Sequence, residues 1–524
     1  MADAMNLGRL LSDVARRLPD RPALVWRDRV WTWAETDRRV GALVAGLRHL
    51  GVAKGDRVML HAQNSNALIE SMWAVFRIGA VWVPNNVRLT APEVAGLAET
   101  CRPKAIVYGP GFDAQADAAI AAGAGIVIAL DEARAGERAY EELLAAHAGA
   151  AAWEAEIGYD DPLWFFFTSG TTGRPKAAVL THGQMAFVVV NHIADLMPGL
   201  SAEDAALVVA PLSHGAGVHY LVNAARGART VLLPTERFDP AEAWRLVAQH
   251  RVTNMFTVPT IVKLLVEHPA VDEHDHTSLR WVIYAGAPMY REDQSLALRK
   301  LGRVLVQYYG LGEVTGAITV LPAHLHSDDD SEMPVGSCGY ARTGMEIAIR
   351  DPDGTRLGPG EMGEICARGP AVFAGYYGNP EATAKALREG WFHTGDLGYL
   401  DPAGFLYITG RASDMYISGG ANVYPRDAEE VLLQHPMVAE VAVLGVPDPK
   451  WGESGVAVVV AAAGAAADAD ALLVWMDGRL ARYKWPRRFF FWDALPKSGY
   501  GKVPKHLIRR TLFERGDLKE GEPV

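Results

Sequence analysis

Short apolar runs recur along most of the chain, and each is followed by a stretch with helical spacing. Residues 58–61 precede a helix-like segment at 67–78, and a further run at 81–83 follows it. Comparable runs lie at 105–108, 125–130, 163–167, 206–210, 230–233 and 281–284. Strand–helix–strand alternation of this kind predicts an α/β architecture with largely parallel sheets covered by helices. Ligands then belong at loops beyond the carboxyl ends of the strands. From Pro334 the pattern changes. Short strands separated by turn sequences at 351–354 and 358–361 predict a small, compact antiparallel β subdomain. After Gly410 and Arg411 the chain returns to mixed α/β, with strands expected at 438–446 and 455–460. An alanine-rich loop over 461–471 and a helix over 471–480 follow. Residues 410–414 read as a linker, which divides the chain into a large N-terminal domain, 1–410, and a small mobile α+β C-terminal domain, 411–524.

Composition narrows the function. With 524 residues, two or more domains are expected, and an apolar fraction of 49% suits an ordinary packed protein. A net charge of −11 argues against nucleic acid or an anionic membrane as the main partner. Any anionic ligand must therefore be held by local positive sites. The three cysteines, Cys101, Cys338 and Cys366, lack metal-ligand spacing and are expected to pack as small apolar residues in a reducing cytosol. Residues 1–11 have no long apolar core, and the longest apolar stretch, 455–467, is too short to span a bilayer. A cytoplasmic protein without a membrane segment is expected.

The most informative segment is Thr168-Ser169-Gly170-Thr171-Thr172-Gly173-Arg174-Pro175-Lys176, directly after the apolar run 163–167. Glycines let backbone N–H groups turn toward an anion, hydroxyls add donors, and lysine adds a compact charge. The segment reads as a polyphosphate cradle. It is not a Walker A loop, because Lys176 stands three residues after Gly173. The nonapeptide resembles the signature loop of the adenylate-forming superfamily, which includes acyl- and aryl-CoA synthetases. Further motifs follow in the family's order, from residues 20–22 to Lys502.

That resemblance implies roles for several residues. Read alone, Gln307-Tyr308-Tyr309-Gly310-Leu311-Gly312-Glu313 serves equally as a packed strand end or as a site where an aromatic face meets a purine and a carboxylate meets a cation. The family's adenine-and-magnesium motif assigns Tyr309 and Gly310 to the base and Glu313 to Mg²⁺. Gly312 departs from the pattern, since the family usually carries a threonine there that adds a phosphate contact. Gly286, Ala287 and Pro288 match the segment along the adenine edge. Asp396, in Trp391-Phe392-His393-Thr394-Gly395-Asp396, matches the carboxylate that accepts the ribose hydroxyls, and Arg411 matches the ribose-contacting arginine. Lys502, in Pro496-Lys497-Ser498-Gly499-Tyr500-Gly501-Lys502, matches the catalytic lysine and the site at which relatives are silenced by lysine acetylation. Ser413 and Asp414 occupy the hinge, with Ser413 where a charged residue is usual. Gly419 and Gly420 match the pantetheine tunnel. Trp451, the basic-aromatic run 482–485 and Arg88 resemble CoA-contacting positions, although a basic run is also what a solvated face looks like.

His214, in the segment 211–217, resembles the histidine that borders the substrate carboxylate. Small residues at Gly215, Ala216, Thr315 and Gly316, with Phe256 nearby by family analogy, suggest a roomy, mostly apolar acid cavity. His219 is either a second wall of that cavity or a satisfied core histidine. The resemblance therefore implies an ATP-dependent carboxylate–CoA ligase that uses ATP, Mg²⁺ and coenzyme A and works through an acyl-adenylate. An aromatic or medium-chain acid is expected. A rival reading passes the acyl group to a carrier protein or an amine. A homodimer and a lysine acetyltransferase acting on Lys502 complete the expected partners.

Overall fold

The computed structural model describes residues 3–168, 175–235, 237–287, 289–411, 414–418, 421–497 and 503–518. The chain forms two compact units, one of residues 1–347 with 367–392, the other of residues 348–366 with 393–524.

The first unit is α/β, as the alternating runs predict. Its seven-stranded sheet runs Lys176–Thr181, Pro162–Thr168, Val81–Pro84, Arg57–His61, Ala105–Tyr108, Ile126–Ala129, Arg138–Ala139. All neighbours are parallel except the hairpin of Pro162–Thr168 with Lys176–Thr181. The crossover helix Asn66–Ile78 begins at a Ser65 cap, whose hydroxyl accepts from Leu68 N, and ends at Gly79 with φ +70°. It is buried at every position from Ala67 to Ile78. A helix apolar on all sides must be enclosed on all sides. Its one carboxylate, Glu70, survives burial because Arg39 Nε lies 2.7 Å from one oxygen and Tyr140 donates to the other at 2.7 Å.

The second sheet has nine strands. Its parallel centre places Arg229–Leu232, Ala205–Val208, Asn254–Thr257, Trp281–Tyr284 and Leu305–Tyr309 side by side. Register pairs Thr257 with Tyr284 and Tyr284 with Gln307, so these strands end along one edge. The loops that follow, including 211–214, 285–287 and 310–316, emerge there. This is where a parallel sheet offers backbone N–H groups and side chains to a ligand.

In the second unit, residues 396–400 pair antiparallel with the strand Leu406–Arg411. The C-terminal part is an α+β layer. A long antiparallel pair, Val438–Asp448 with Gly452–Ala461, carries one apolar cluster around Leu432, Val443 and Met476 and another around Leu444, Ile508 and Leu512. The helix expected over 471–480 instead spans Ala469–Met476. Asp468 accepts from Ala471 N at its start, and Gly478, at φ +73°, ends the local pattern. Among the described residues no helix is long and apolar enough to cross a membrane. Cys101, Cys338 and Cys366 are all buried and unpaired with one another.

Candidate active site

The phosphate end is built on a strand hairpin. Thr168 closes one strand, Lys176 opens the next, and the two are register partners. The residues between them, Ser169, Gly170, Thr171, Thr172, Gly173 and Arg174, lie outside the described residues. Glu313 sits beside it in the short 3₁₀ turn Gly312–Val314 and is 5% exposed. Thr168 Oγ1 donates to Glu313 Oε1 at 3.2 Å, and the Tyr376 hydroxyl donates to the same oxygen at 2.8 Å. The Phe373 N–H donates to the Glu313 carbonyl at 2.8 Å. Lys176 Nζ stands 4.7 Å over the Tyr376 ring, a cation–π contact that aims the ammonium into the same corner. Burial, then the Glu313 carboxylate, pushes the Tyr376 hydroxyl well above the ordinary tyrosine range, so it stays a donor.

This corner suits a magnesium ion. Glu313 is a buried carboxylate whose side-chain hydrogen bonds among the described residues all fall on Oε1, which leaves Oε2 to face a hard cation. Tyr376 is a residue that sequence reasoning missed. It lies 63 positions from Glu313, and nothing in its spacing announces the contact.

The base edge is assembled at neighbouring strand ends. Tyr309 ends its strand and donates its N–H to Thr319 Oγ1 at 3.2 Å. Gly310 is packed so closely that a Cβ there would stand 2.5 Å from Gly316 Cα. Gly286 has φ +84°, which turns the chain just after Tyr284. Ala287 follows it, and Pro288 lies outside the described residues.

At the acid end, His214 stacks on Phe166 with ring centroids 4.4 Å apart. The small residues here let aromatic rings approach the backbone. A Cβ on Gly215 would meet the Phe256 ring at 2.8 Å, and one on Gly316 would meet Tyr308 Cε2 at 2.2 Å. Aromatic rings occupy the space that the glycines leave. Gly312 follows the same rule, since its Cβ would fall 2.5 Å from Phe166 Cδ1. The missing threonine is thus explained by Phe166, which fills the position. Thr315 is buried and has φ +48°. His219 is buried among these rings, and neither ring nitrogen has a protein hydrogen-bond partner among the described residues.

The second unit holds the other polar pair. Asp396 and Arg411 are register partners on adjacent strands, with Arg411 Nε 3.1 Å from Asp396 Oδ1. Asp396 is held in place from behind. Its N–H donates to Thr394 Oγ1 at 3.0 Å, and Thr394 Oγ1 donates to the Ile365 carbonyl at 2.7 Å. Glu364 clamps the same turn, accepting from Gly395 N at 3.1 Å and pairing with His393 Nδ1 at 2.7 Å. Cys366 Sγ lies 3.4 Å from that same nitrogen. Glu364 was not singled out from sequence, although Glu364 and Cys366 alternate on a strand and so share a face.

Asp414 donates its N–H to the Arg411 carbonyl at 3.0 Å. Trp451 is flanked by Lys450 and Arg487, at 4.9 and 4.8 Å from its ring. Of the basic run 482–485, Lys484 is tied to Asp427 at 2.6 Å. Arg88 is exposed in the first unit. Ser413, Gly419, Gly420 and Lys502 lie outside the described residues.

Residues 11–377 match the family model described as AMP-binding enzyme, and residues 427–502 match the AMP-binding enzyme C-terminal domain. The chain belongs to the AMP-binding enzyme family. Its relatives in this family include a feruloyl-CoA synthase of Amycolatopsis, 39% identical over 95% of this chain and 97% of that one. An indoleacetate–CoA ligase of Aromatoleum aromaticum is 36% identical over 98% of this chain and 100% of its own length. Among solved structures, the amide bond synthetase McbA of Marinactinospora thermotolerans superposes with a TM-score of 0.87 at 29% identity, covering 96% of this chain and 99% of that one. The adenylate-forming fold and the ligase class anticipated from the motifs are therefore shown.

Proposed function

We propose that this chain is an ATP-dependent carboxylate–CoA ligase for an aromatic or medium-chain acid, with the residues above in the following roles. The single observation that carries the reading is the corner made by Thr168, Lys176, Tyr376 and Glu313, which gathers hydroxyl, ammonium and carboxylate where a parallel sheet binds ligands. The loop 169–173 with Lys176 cradles the ATP phosphates, and Glu313 holds Mg²⁺. When bound, the ion neutralises phosphate oxygens during the displacement. Gly286, Ala287, Pro288, Tyr309 and Gly310 receive adenine, and Asp396 with Arg411 receives the ribose. His214 borders the carboxylate, while Gly215, Phe256, Thr315 and Gly316 line the acid.

The carboxylate oxygen attacks the α-phosphorus, and pyrophosphate leaves with the bonding electrons. Lys502 offsets the negative charge that builds on the α-phosphate. The CoA thiol, as it loses its proton, then attacks the acyl carbon, and AMP departs. Domain 411–524 turns about Ser413 and Asp414 between these steps, and Gly419, Gly420, Trp451 and Arg88 serve CoA. The two closely related CoA ligases named above act on aromatic acids, which favours an aromatic substrate here. The protein works in the cytoplasm, as a homodimer, with Lys502 open to an acetyltransferase.

Carboxylate-dependent exchange of labelled pyrophosphate into ATP, across aromatic, branched and straight-chain acids, tests the first half-reaction. Exchange with an aromatic class supports the reading, and no exchange with any acid in folded protein sinks it. The amide bond synthetase neighbour keeps an amine acceptor as the second reading. CoA thioester formation after exchange decides between them. Lys502→Gln is expected to lower turnover by at least roughly a hundredfold while the protein still binds ATP; unchanged turnover would remove both its catalytic role and its value as an acetylation switch.

A further inference from the structure

We propose that Cys366, His393 and Glu364 form a binding site for a thiophilic divalent cation of the zinc class, and that an ion held there loosens the turn presenting Asp396 and so weakens nucleotide binding. The coupling to nucleotide rests on the ribose role given to Asp396 above; the metal site does not.

All three residues lie in the second unit. Glu364 and Cys366 alternate on the strand Gly363–Arg368, so their side chains leave one face, and His393 reaches that face from the neighbouring strand. Cys366 Sγ lies 3.4 Å from His393 Nδ1, and Glu364 Oε2 lies 2.7 Å from the same nitrogen. A sulfur, a nitrogen and an oxygen thus stand within 4.8 Å of one another. The separation of 27 positions between Cys366 and His393 hides the group from sequence reading. Cys366 is fully buried, whereas Glu364 and His393 keep 25% and 10% of their side-chain surface open, which leaves a way in for an ion and for a water as its fourth ligand.

The geometry favours coordination over a proton relay. A relay runs through both ring nitrogens of a histidine, one to each neighbour. Here a single nitrogen, Nδ1, faces thiol and carboxylate together, and it can carry only one proton. A cation turns the group into three convergent ligands. The Cys366 thiol gives up its proton to solvent, and the imidazole keeps its proton on Nε2 with the Nδ1 lone pair toward the ion. Tetrahedral zinc, with bonds of about 2.3 Å to sulfur and about 2.0 Å to nitrogen and oxygen, sets sulfur and nitrogen about 3.5 Å apart and nitrogen and oxygen about 3.3 Å apart. The first edge is already in place, and the second must open by about 0.6 Å. Thiolate and imidazole select zinc-like ions over the Mg²⁺ of the reaction, which prefers an octahedron of oxygens.

Opening that edge moves Glu364. Its other oxygen, Oε1, accepts from Gly395 N at 3.1 Å, and Gly395 turns the chain at φ +73° directly before Asp396. A carboxylate drawn onto an ion must stretch this bond or drag Gly395 with it. His393, at the head of the same turn, is pulled in the same event. Asp396 takes its position from Thr394, whose hydroxyl accepts from Asp396 N and donates to the carbonyl of Ile365, the residue between Glu364 and Cys366. The ion therefore acts on both strands that set the Asp396 carboxylate. By linkage, a bound nucleotide must weaken the ion by the same factor as the ion weakens the nucleotide.

Titrating the folded full-length protein with Co²⁺ probes the site without turnover. Bound cobalt should give a thiolate-to-metal charge-transfer band in the near ultraviolet and the strong visible bands of a tetrahedral ion, and added Zn²⁺ should bleach both. Cys366→Ser should abolish the charge-transfer band, and His393→Gln should raise the cobalt needed for half-saturation by at least about tenfold. The ATP KM in pyrophosphate exchange is then measured with Mg²⁺ in excess and free Zn²⁺ set by a chelator buffer. Zinc should raise it at least about fivefold in wild type and leave it level in Cys366→Ser. If neither variant folds, the wild-type titration decides alone. No charge-transfer band in wild type, a band that survives in Cys366→Ser, or an ATP KM that zinc leaves unmoved in wild type or moves equally in both proteins would overturn the proposal. Failure of the ligase reading would show differently, as no exchange with any acid while the cobalt band stands.

Discussion

Adding a side chain at Gly312 should displace Phe166 and, through it, His214. A Cβ at this position would stand 2.5 Å from Phe166 Cδ1, 2.8 Å from Cε1 and 3.1 Å from Thr168 Cγ2. Carbon atoms rest in contact at about 3.5–4.0 Å, so the ring must retreat by roughly 1 Å. It has little room to do so. Phe166 is 6% exposed, stacked on His214 at 4.4 Å and flanked by Trp164 at 6.1 Å. Overpacking of this kind costs about 1–3 kcal/mol. Gly312→Ala should fall in that range, and Gly312→Thr should cost more. Phe166→Leu removes the obstruction, so the double variant Phe166→Leu with Gly312→Ala should recover at least about 1 kcal/mol relative to the sum of the single changes. Urea unfolding followed by tryptophan fluorescence measures this, with Trp164 and Trp82 in edge contact beside the site. Pyrophosphate exchange should show the acid KM rising more than the ATP KM, because the displaced ring supports His214. Additivity within about 0.5 kcal/mol would show that the two positions do not compete, and the reasoning would fall.

Three further outcomes follow from the same geometry. Tyr376→Phe removes one of the two side-chain donors to Glu313 Oε1 and should slow exchange by about tenfold and raise the magnesium concentration needed for half-maximal rate; an unchanged magnesium dependence would detach Tyr376 from the metal corner. Glu364→Ala frees the turn that presents Asp396, so the ATP KM should rise by roughly tenfold with the acid KM steady, and an Asp396→Ala background should mask the effect; full additivity of the two changes would refute the positioning role. Burial holds His61, His182 and His326 near 4 and His219 near 3, below the ordinary 6.5 of imidazole. The unfolded chain therefore takes up protons that the folded chain refuses, so stability is full above about pH 6.5 and is lost as pH falls toward 4, at up to roughly 1.4 kcal/mol per pH unit for each imidazole. His182 shows why, since its Nδ1 accepts from Leu7 N and cannot do so once protonated. Urea midpoints that stay level between pH 7 and pH 5 would contradict this.

How far the molecule could be read from its sequence depends on how local each cause is. Strands buried on both faces leave continuous apolar runs, so Trp281–Tyr284, buried throughout, was legible, and so was the α/β layering it belongs to. Thr168 and Lys176 were legible because the chemistry of a turn is written in adjacent residues. Tyr376 and Glu364 were not, because what each does depends on partners 63 and 29 positions away. His219 could be read either as a satisfied core residue or as a pocket wall, because its aromatic neighbours Phe256 and Tyr308 are 37 and 89 positions away. The acid pocket shows what a small residue does and does not announce. Glycines at 215 and 316 suggested open space, yet a glycine states only that something must come close to the backbone. At 215, 312 and 316 that something is Phe256, Phe166 and Tyr308. The pocket's shape is therefore set by those three rings, and substrate choice should respond to substitution of the aromatic residues more than to substitution of the small ones that first drew attention to it.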